Sequence, residues 1–179
     1  MIKQYFLQID PGAKMAKNVN DITVNIRPTD EEDVPLIMDF IKAIADFEDL
    51  GDSVLASEED IRKSLFGPKP FAEAAIAEVN NEPAGFVTYF YNFSSFVGKP
   101  GLYVEDIYVH PEYRKQGVGR SLMAYCARIA KERGCGRMDW SVLNWNPARK
   151  FYENLGAEAH EEWIVYRLGE KKFLELAKE

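Results

Sequence analysis

Residues 102–123 read L-Y-V-E-D-I-Y-V-H-P-E-Y-R-K-Q-G-V-G-R-S-L-M, and their order decides the fold. Leu102 to Val109 is rich in apolar and β-branched residues, the composition of a half-buried strand. His110-Pro111-Glu112-Tyr113 breaks it as a turn, because proline lacks an amide donor and restricts the residue before it. Beyond Arg114-Lys115-Gln116-Gly117-Val118-Gly119, the residues Leu122, Met123, Cys126, Ile129 and Ala130 recur at helical spacing. Two close glycines at the mouth of a helix let a phosphate approach bare backbone N–H groups. The positive end of the helix dipole, with Arg114, Lys115 and Arg120, favours an anion there. The stretch reads as a pyrophosphate cradle. It is not a dinucleotide fingerprint, since Ser121-Leu122 stands where the third glycine should be, and no Walker loop is present.

R-K-Q-G-V-G fits the R/Q-x-x-G-x-G/A motif of the GCN5-related N-acetyltransferases, and the chain resembles that superfamily. Three further stretches resemble its spermidine/spermine branch, which includes thialysine acetyltransferases. They are I-R-P at Ile26 to Pro28, L-Y-V-E-D-I-Y-V at Leu102 to Val109, and W-N-P-A-R-K-F-Y-E-N-L-G-A at Trp145 to Ala157. The resemblance runs over about residues 22–176. It implies acetyl-CoA as co-substrate, the acyl-CoA N-acyltransferase fold and a homodimer.

Length and composition agree with that reading. A chain of 179 residues, 46% hydrophobic and 28% charged, has the make-up of one globular domain. Residues 22–179 form the expected domain, and residues 1–21, with Pro11-Gly12 and scattered lysines, an extension. No apolar run reaches the roughly 20 residues that span a bilayer, and no secretory pattern opens the chain. Cys126 and Cys135 make no disulfide framework, so a cytoplasmic protein with reduced thiols is expected. A net charge of −7 argues against nucleic acid or anionic membrane as a partner and suits a small cationic amine. With His110 and His160 the cysteines form no metal-ligand spacing, so no metal is expected.

In chain order, Thr23 to Arg27 alternates as a strand, and Thr29-x-x-Glu32 reads as a capping box opening a helix that ends at Phe47-Glu48. Ser57 opens a second helix, to about Phe66. Glu73–Val79 and Ala84–Tyr91 read as strands joined through Asn80-Asn81-Glu82. Met138–Leu143 and Glu162–Leu168 read as two more strands, Asn146–Leu155 as a short helix and Glu170–Lys178 as a closing one. This order predicts an α/β fold, a mixed central sheet with helices on both faces.

Moving an acetyl group from a thioester to an amine sets three chemical tasks. The amine, with pKa near 10.4, must lose a proton; an oxyanion needs a donor; and the thiolate is helped by an acid. Tyr152, a phenol protonated at neutral pH, stands where the family's acid occurs. Glu105 is the candidate base, acting through water or else holding the acceptor cation, with Val104 and Ile107 expected to desolvate it. By resemblance, the backbone of Ile107, Tyr108 and Val109 lines the pantetheine arm, and the Val109 N–H faces the oxyanion. Arg114, Lys115, Gln116, Gly117, Val118, Gly119 and Arg120 hold the pyrophosphate, with Asn146 and Arg149 also on the cofactor. The W-N-P-A loop is one residue shorter than in the animal polyamine enzymes, which loosens the assignments from Asn146 to Arg149. Phe47, Glu48, Trp140 and Glu162 are the candidate acceptor residues. Polyamines or a diamine are the first expected acceptors, thialysine or another lysine-like amino acid close behind. A protein lysine or N-terminus is the alternative substrate, and an acetyl-CoA-binding module without turnover is the alternative class.

Overall fold

The computed structural model describes residues 23–179, so the expected extension over residues 1–21 lies outside the described residues. The elements in order are β1 (Val24–Pro28), α1 (Val34–Phe47), α2 (Glu58–Phe66), β2 (Glu73–Val79), β3 (Glu82–Ser94), β4 (Lys99–Val109), α3 (Val118–Glu132), β5 (Arg137–Trp140), α4 (Ala148–Glu153) and α5 (Glu170–Leu176). The chain divides into two compact units, one running through Ser141 and the other from Val142.

The first unit holds a five-stranded sheet in the order β1-β2-β3-β4-β5. The first three pairings are antiparallel, while β4 and β5 run parallel, as the α3 crossover between them requires. Asn80 and Asn81 both take positive φ, 53° and 67°, which makes a two-residue hairpin between β2 and β3. One sheet face meets α1: Ile37 and Phe40 pack on Ala74, Ile76 and Phe86, and the Phe40 and Phe86 rings stack at 4.9 Å. By strand alternation Ala75, Ala77 and Val87 point to the other face. There Tyr89 meets Tyr125 of α3, their ring centroids 6.4 Å apart. Helices therefore cover both faces, as the order of elements predicts.

Arg27 ties the start of this unit together. Its guanidinium grips both oxygens of Asp33, at 2.6 and 2.8 Å, and donates Nε–H to Glu78 at 2.8 Å. The hydrogen bond from Arg27 holds the buried Asp33 carboxyl below the usual carboxylate range. Asp33 also accepts the Asp30 N–H, and Asp30 accepts the Glu32 N–H. The capping box is therefore Asp30–Asp33 and not Thr29–Glu32. Thr29 instead donates its hydroxyl to the Ala74 carbonyl, because β2 lies within reach. The second helix begins as expected, with Ser57 and Asp60 forming a reciprocal box.

In the second unit, α4 is shorter than the expected helix, and the expected strand at Glu162–Leu168 is not formed. Trp163, Ile164, Val165 and Tyr166 are exposed there, Tyr166 at 91%. A strand needs a ladder partner as well as β propensity, and this segment has none among the described strands. Likewise β5 stops at Trp140, short of the expected Leu143.

Candidate active site

β4 brings the predicted residues of the first unit to one place. Thr88 of β3 faces Asp106, but the next residue, Tyr89, faces Val104. The register shifts there, so Glu105 is the extra residue of a β-bulge, and it is exposed. The expected desolvation of Glu105 falls instead on its neighbour. Burial raises the Asp106 carboxyl above its ordinary range, and a hydrogen bond from the Thr88 hydroxyl, at 2.9 Å, acts against that rise. Nothing in the sequence pattern signals the bulge.

Downstream of the bulge, Ile107, Tyr108 and Val109 pair with Val87, Phe86 and Gly85. Gly85 has to be glycine, because a Cβ there would collide with the Tyr108 carbonyl oxygen. The ladder continues one step further as the His110 N–H donates to the Ala84 carbonyl at 2.9 Å. His110 stands against Phe40 and Tyr108, with ring centroids 5.1 and 5.4 Å away, as a packed turn residue.

The turn into α3 has the form expected of an anion cradle. Gly117 is the N-cap, at φ 86°, and no side chain caps the helix. A Cβ on Gly117 would meet nothing within 4 Å, so the space over the helix mouth is open. The first amides of an α-helix have no intrahelical acceptor, and no side chain caps these. Lys115, at φ 62°, and Arg120 are exposed beside this mouth, while Val118 is buried and anchors it. The Gln116 side-chain amide donates to the Glu112 carbonyl at 2.6 Å and braces the turn. Arg114 is tied to the end of β4 and to α1. Its Nε–H donates to the Val109 carbonyl at 2.9 Å, and its guanidinium lies 5.2 Å from the Phe47 ring centroid and 5.7 Å from that of Tyr108.

The candidate acceptor residues of this unit are Phe47 and Glu48, at the end of α1, and Trp140, at the end of β5 opposite Val104. Phe47 is exposed, and Glu48 and Trp140 are half-buried.

In the second unit, Tyr152 is a half-buried residue of α4, its ring 5.2 Å from that of Phe151. Asn146 is buried and accepts the Ala148 N–H at 2.9 Å, leaving its amide nitrogen to donate elsewhere. Arg149 donates to the Asn144 carbonyl and to Glu161, each at 3.3 Å. Glu162 is exposed and 3.4 Å from His160 Nδ1. Its carboxyl is held low first by its own backbone N–H and then by His160.

Burial pushes Cys126 up to about 12, so it stays a thiol at neutral pH, and Cys135 is a second free cysteine. Among the described residues no group of three His, Cys, Asp or Glu could hold a metal ion, and no helix is long and apolar enough to cross a membrane.

Residues 41–157, which hold both the bulged strand and the α3 mouth, match the Acetyltransferase (GNAT) family. The chain belongs to that family. This GNAT chain is 36% identical over 166 residues to a thialysine N-epsilon-acetyltransferase of Bos taurus, a match covering 86% of this chain and 97% of the other. It is 30% identical to an L-ornithine N5-acetyltransferase of Arabidopsis thaliana, covering 80% and 83% of the two chains. Among solved structures, an integron cassette protein from the mobile metagenome of V. cholerae superposes with a TM-score of 0.71 at 30% identity, over 87% of this chain and 98% of that one. The GNAT family uses acetyl-CoA as co-substrate, and this chain is an acetyl-CoA-dependent N-acetyltransferase acting on amines.

Proposed function

We propose that the acceptor is the side-chain amine of a lysine-like amino acid such as thialysine or ornithine, with diamines and polyamines next in preference. The observation that carries this is the near-complete coverage of the thialysine relative, 97% of its length, by a chain whose α3 mouth is open and uncapped. The net charge of −7 agrees with a cationic acceptor.

Each residue then has one task. The amides at Gly117, Val118, Gly119 and Arg120 hold the diphosphate of acetyl-CoA, with Lys115 and Arg120 adding positive charge. The backbone from Ile107 to Val109 holds the pantetheine arm, and Asn146 and Arg149 support the same ligand. Phe47, Glu48, Trp140 and Glu162 receive the cationic acceptor. Glu105 takes a proton from the ammonium through water, freeing the nitrogen lone pair. The C–N bond then forms and the C–S bond breaks; Tyr152 gives its proton to the departing sulfur, and the second proton of the nitrogen returns to the Tyr152 oxygen through water, leaving a neutral amide. The Val109 N–H donates to the carbonyl oxygen while negative charge builds on it.

An amine panel with acetyl-CoA, followed by thiol release, tests the acceptor. Thialysine and ornithine are expected to give the highest kcat/KM, spermidine and diamines less, and lysine-containing peptides none. Turnover confined to peptides moves the acceptor to proteins. Acetyl-CoA binding without turnover on any amine makes the chain a binding module.

We infer further that the protein is cytoplasmic, where its two free cysteines stay reduced, and that it is a homodimer. Exposed Trp163, Ile164, Val165 and Tyr166 support association, since a contiguous apolar run of this kind is ordinarily covered by a partner. Sedimentation equilibrium should give twice the 20.5 kDa of one chain. A single-chain mass removes the dimer.

A further inference from the structure

Arg114 stands first in the R-K-Q-G-V-G stretch, where a guanidinium reads as a phosphate ligand. Its side chain also makes contacts within the protein. Nε donates to the Val109 carbonyl at 2.9 Å, inside the same first unit, and the plane is held near two rings. One of those, Tyr108, belongs to the end of β4; the other, Phe47, is the last residue of α1. Phe47 is exposed, so the stack on Arg114 is made at the surface, where a planar cation and an aromatic face attract without heavy desolvation.

These contacts join two parts of the site that the sequence leaves 60 residues apart. At one end is the β4 backbone, whose Val109 N–H serves the acetyl carbonyl. Its position is fixed by the Ala84 carbonyl on one side of the chain turn and by Arg114 on the other. At the other end is the close of α1, where Phe47 and Glu48 stand ready for the acceptor. We infer that Arg114 is a positioning residue: it fastens the end of α1 to the end of β4, sets the acceptor side of the site, and leaves the diphosphate to backbone amides. The inference rests on the acetyltransferase reading and deepens it by separating acceptor recognition from cofactor recognition.

The test compares Arg114→Met, Arg114→Lys and Phe47→Leu with the unaltered protein. It measures the KM for thialysine at saturating acetyl-CoA, and the Kd for coenzyme A by calorimetry without acceptor. The expected result is a rise of about tenfold in the thialysine KM for Arg114→Met and Phe47→Leu, with the coenzyme A Kd unchanged within about twofold. Arg114→Lys keeps the charge but loses the planar stack and the Nε donor, so it is expected to behave like Arg114→Met. The proposal is overturned if coenzyme A affinity falls as much as the acceptor KM rises. It is equally overturned if Arg114→Lys restores the original KM, or if Phe47→Leu leaves it unchanged. Should Arg114→Met not fold, Arg114→Lys and Phe47→Leu decide the matter through the same two constants. An unaltered protein that ignores thialysine but acetylates another amine overturns the acceptor assignment alone, and the comparison is then run with that amine.

Discussion

Tyr152→Phe is expected to lower kcat by about 100-fold while the affinity for acetyl-CoA stays within about twofold. The substitution removes one oxygen and its proton and leaves the ring. In α4 that ring lies 5.2 Å from Phe151, and the Tyr152 carbonyl accepts from the Leu155 and Ala157 amides. A phenylalanine keeps both the ring contact and the backbone bonds. A 100-fold loss corresponds to about 2.7 kcal/mol, a reasonable amount for a general acid that spares the site from releasing a bare thiolate. Tyr89, Tyr91 and Tyr125 are raised by burial, and the Tyr89 ring packs with both of the others on the α3 face of the sheet. Rapid-quench measurement of the transfer step, with a titration of acetyl-CoA, checks the prediction. An unchanged rate removes Tyr152 from the mechanism, and a loss confined to cofactor affinity makes it a binding residue.

The parts of this molecule that were legible in the sequence are those fixed by short-range physics. Gly117 signals a backbone at positive φ, Asn80-Asn81 a tight hairpin, and the spacing from Leu122 to Ala130 a helix with one buried face. Each depends on residues a few places away. What escaped depends on a partner distant in the chain. The bulge at Glu105 exists only in the pairing with Thr88 and Tyr89 of β3. The Asp30–Asp33 cap replaces Thr29–Glu32 because Arg27 and Ala74 compete for the side chains involved. The contacts of Arg114 with Val109, Phe47 and Tyr108 likewise join residues that the sequence shows only by type. The unformed strand at 162–168 is the same lesson in reverse. Trp163, Ile164, Val165 and Tyr166 have strong β propensity, but propensity without a neighbouring edge leaves them exposed.

Glu105→Gln is expected to lower kcat about 100-fold at neutral pH and to leave the remaining rate flat through the range where the unaltered enzyme loses activity with falling pH. A general base works only as the carboxylate. As pH falls through its pKa in the complex, the working form is lost and kcat falls with it. Glutamine does not titrate, so its low rate has no such limb. The family resemblance makes Glu105 the candidate, and the residue stands exposed at the bulge. Asp106 is the rival, because burial raises its carboxyl above the ordinary carboxylate range. Its geometry speaks against it. The carboxylate accepts the Thr88 hydroxyl at 2.9 Å, and that same hydroxyl oxygen accepts the Asp106 N–H at 3.2 Å, so the pair locks the bulge from inside. Asp106→Asn should therefore lower thermal stability and keep the acidic limb, and Glu105→Gln should do the opposite. If the limb instead disappears with Asp106→Asn and persists with Glu105→Gln, the proton goes to Asp106, and the role of Glu105 contracts to holding the acceptor's charge.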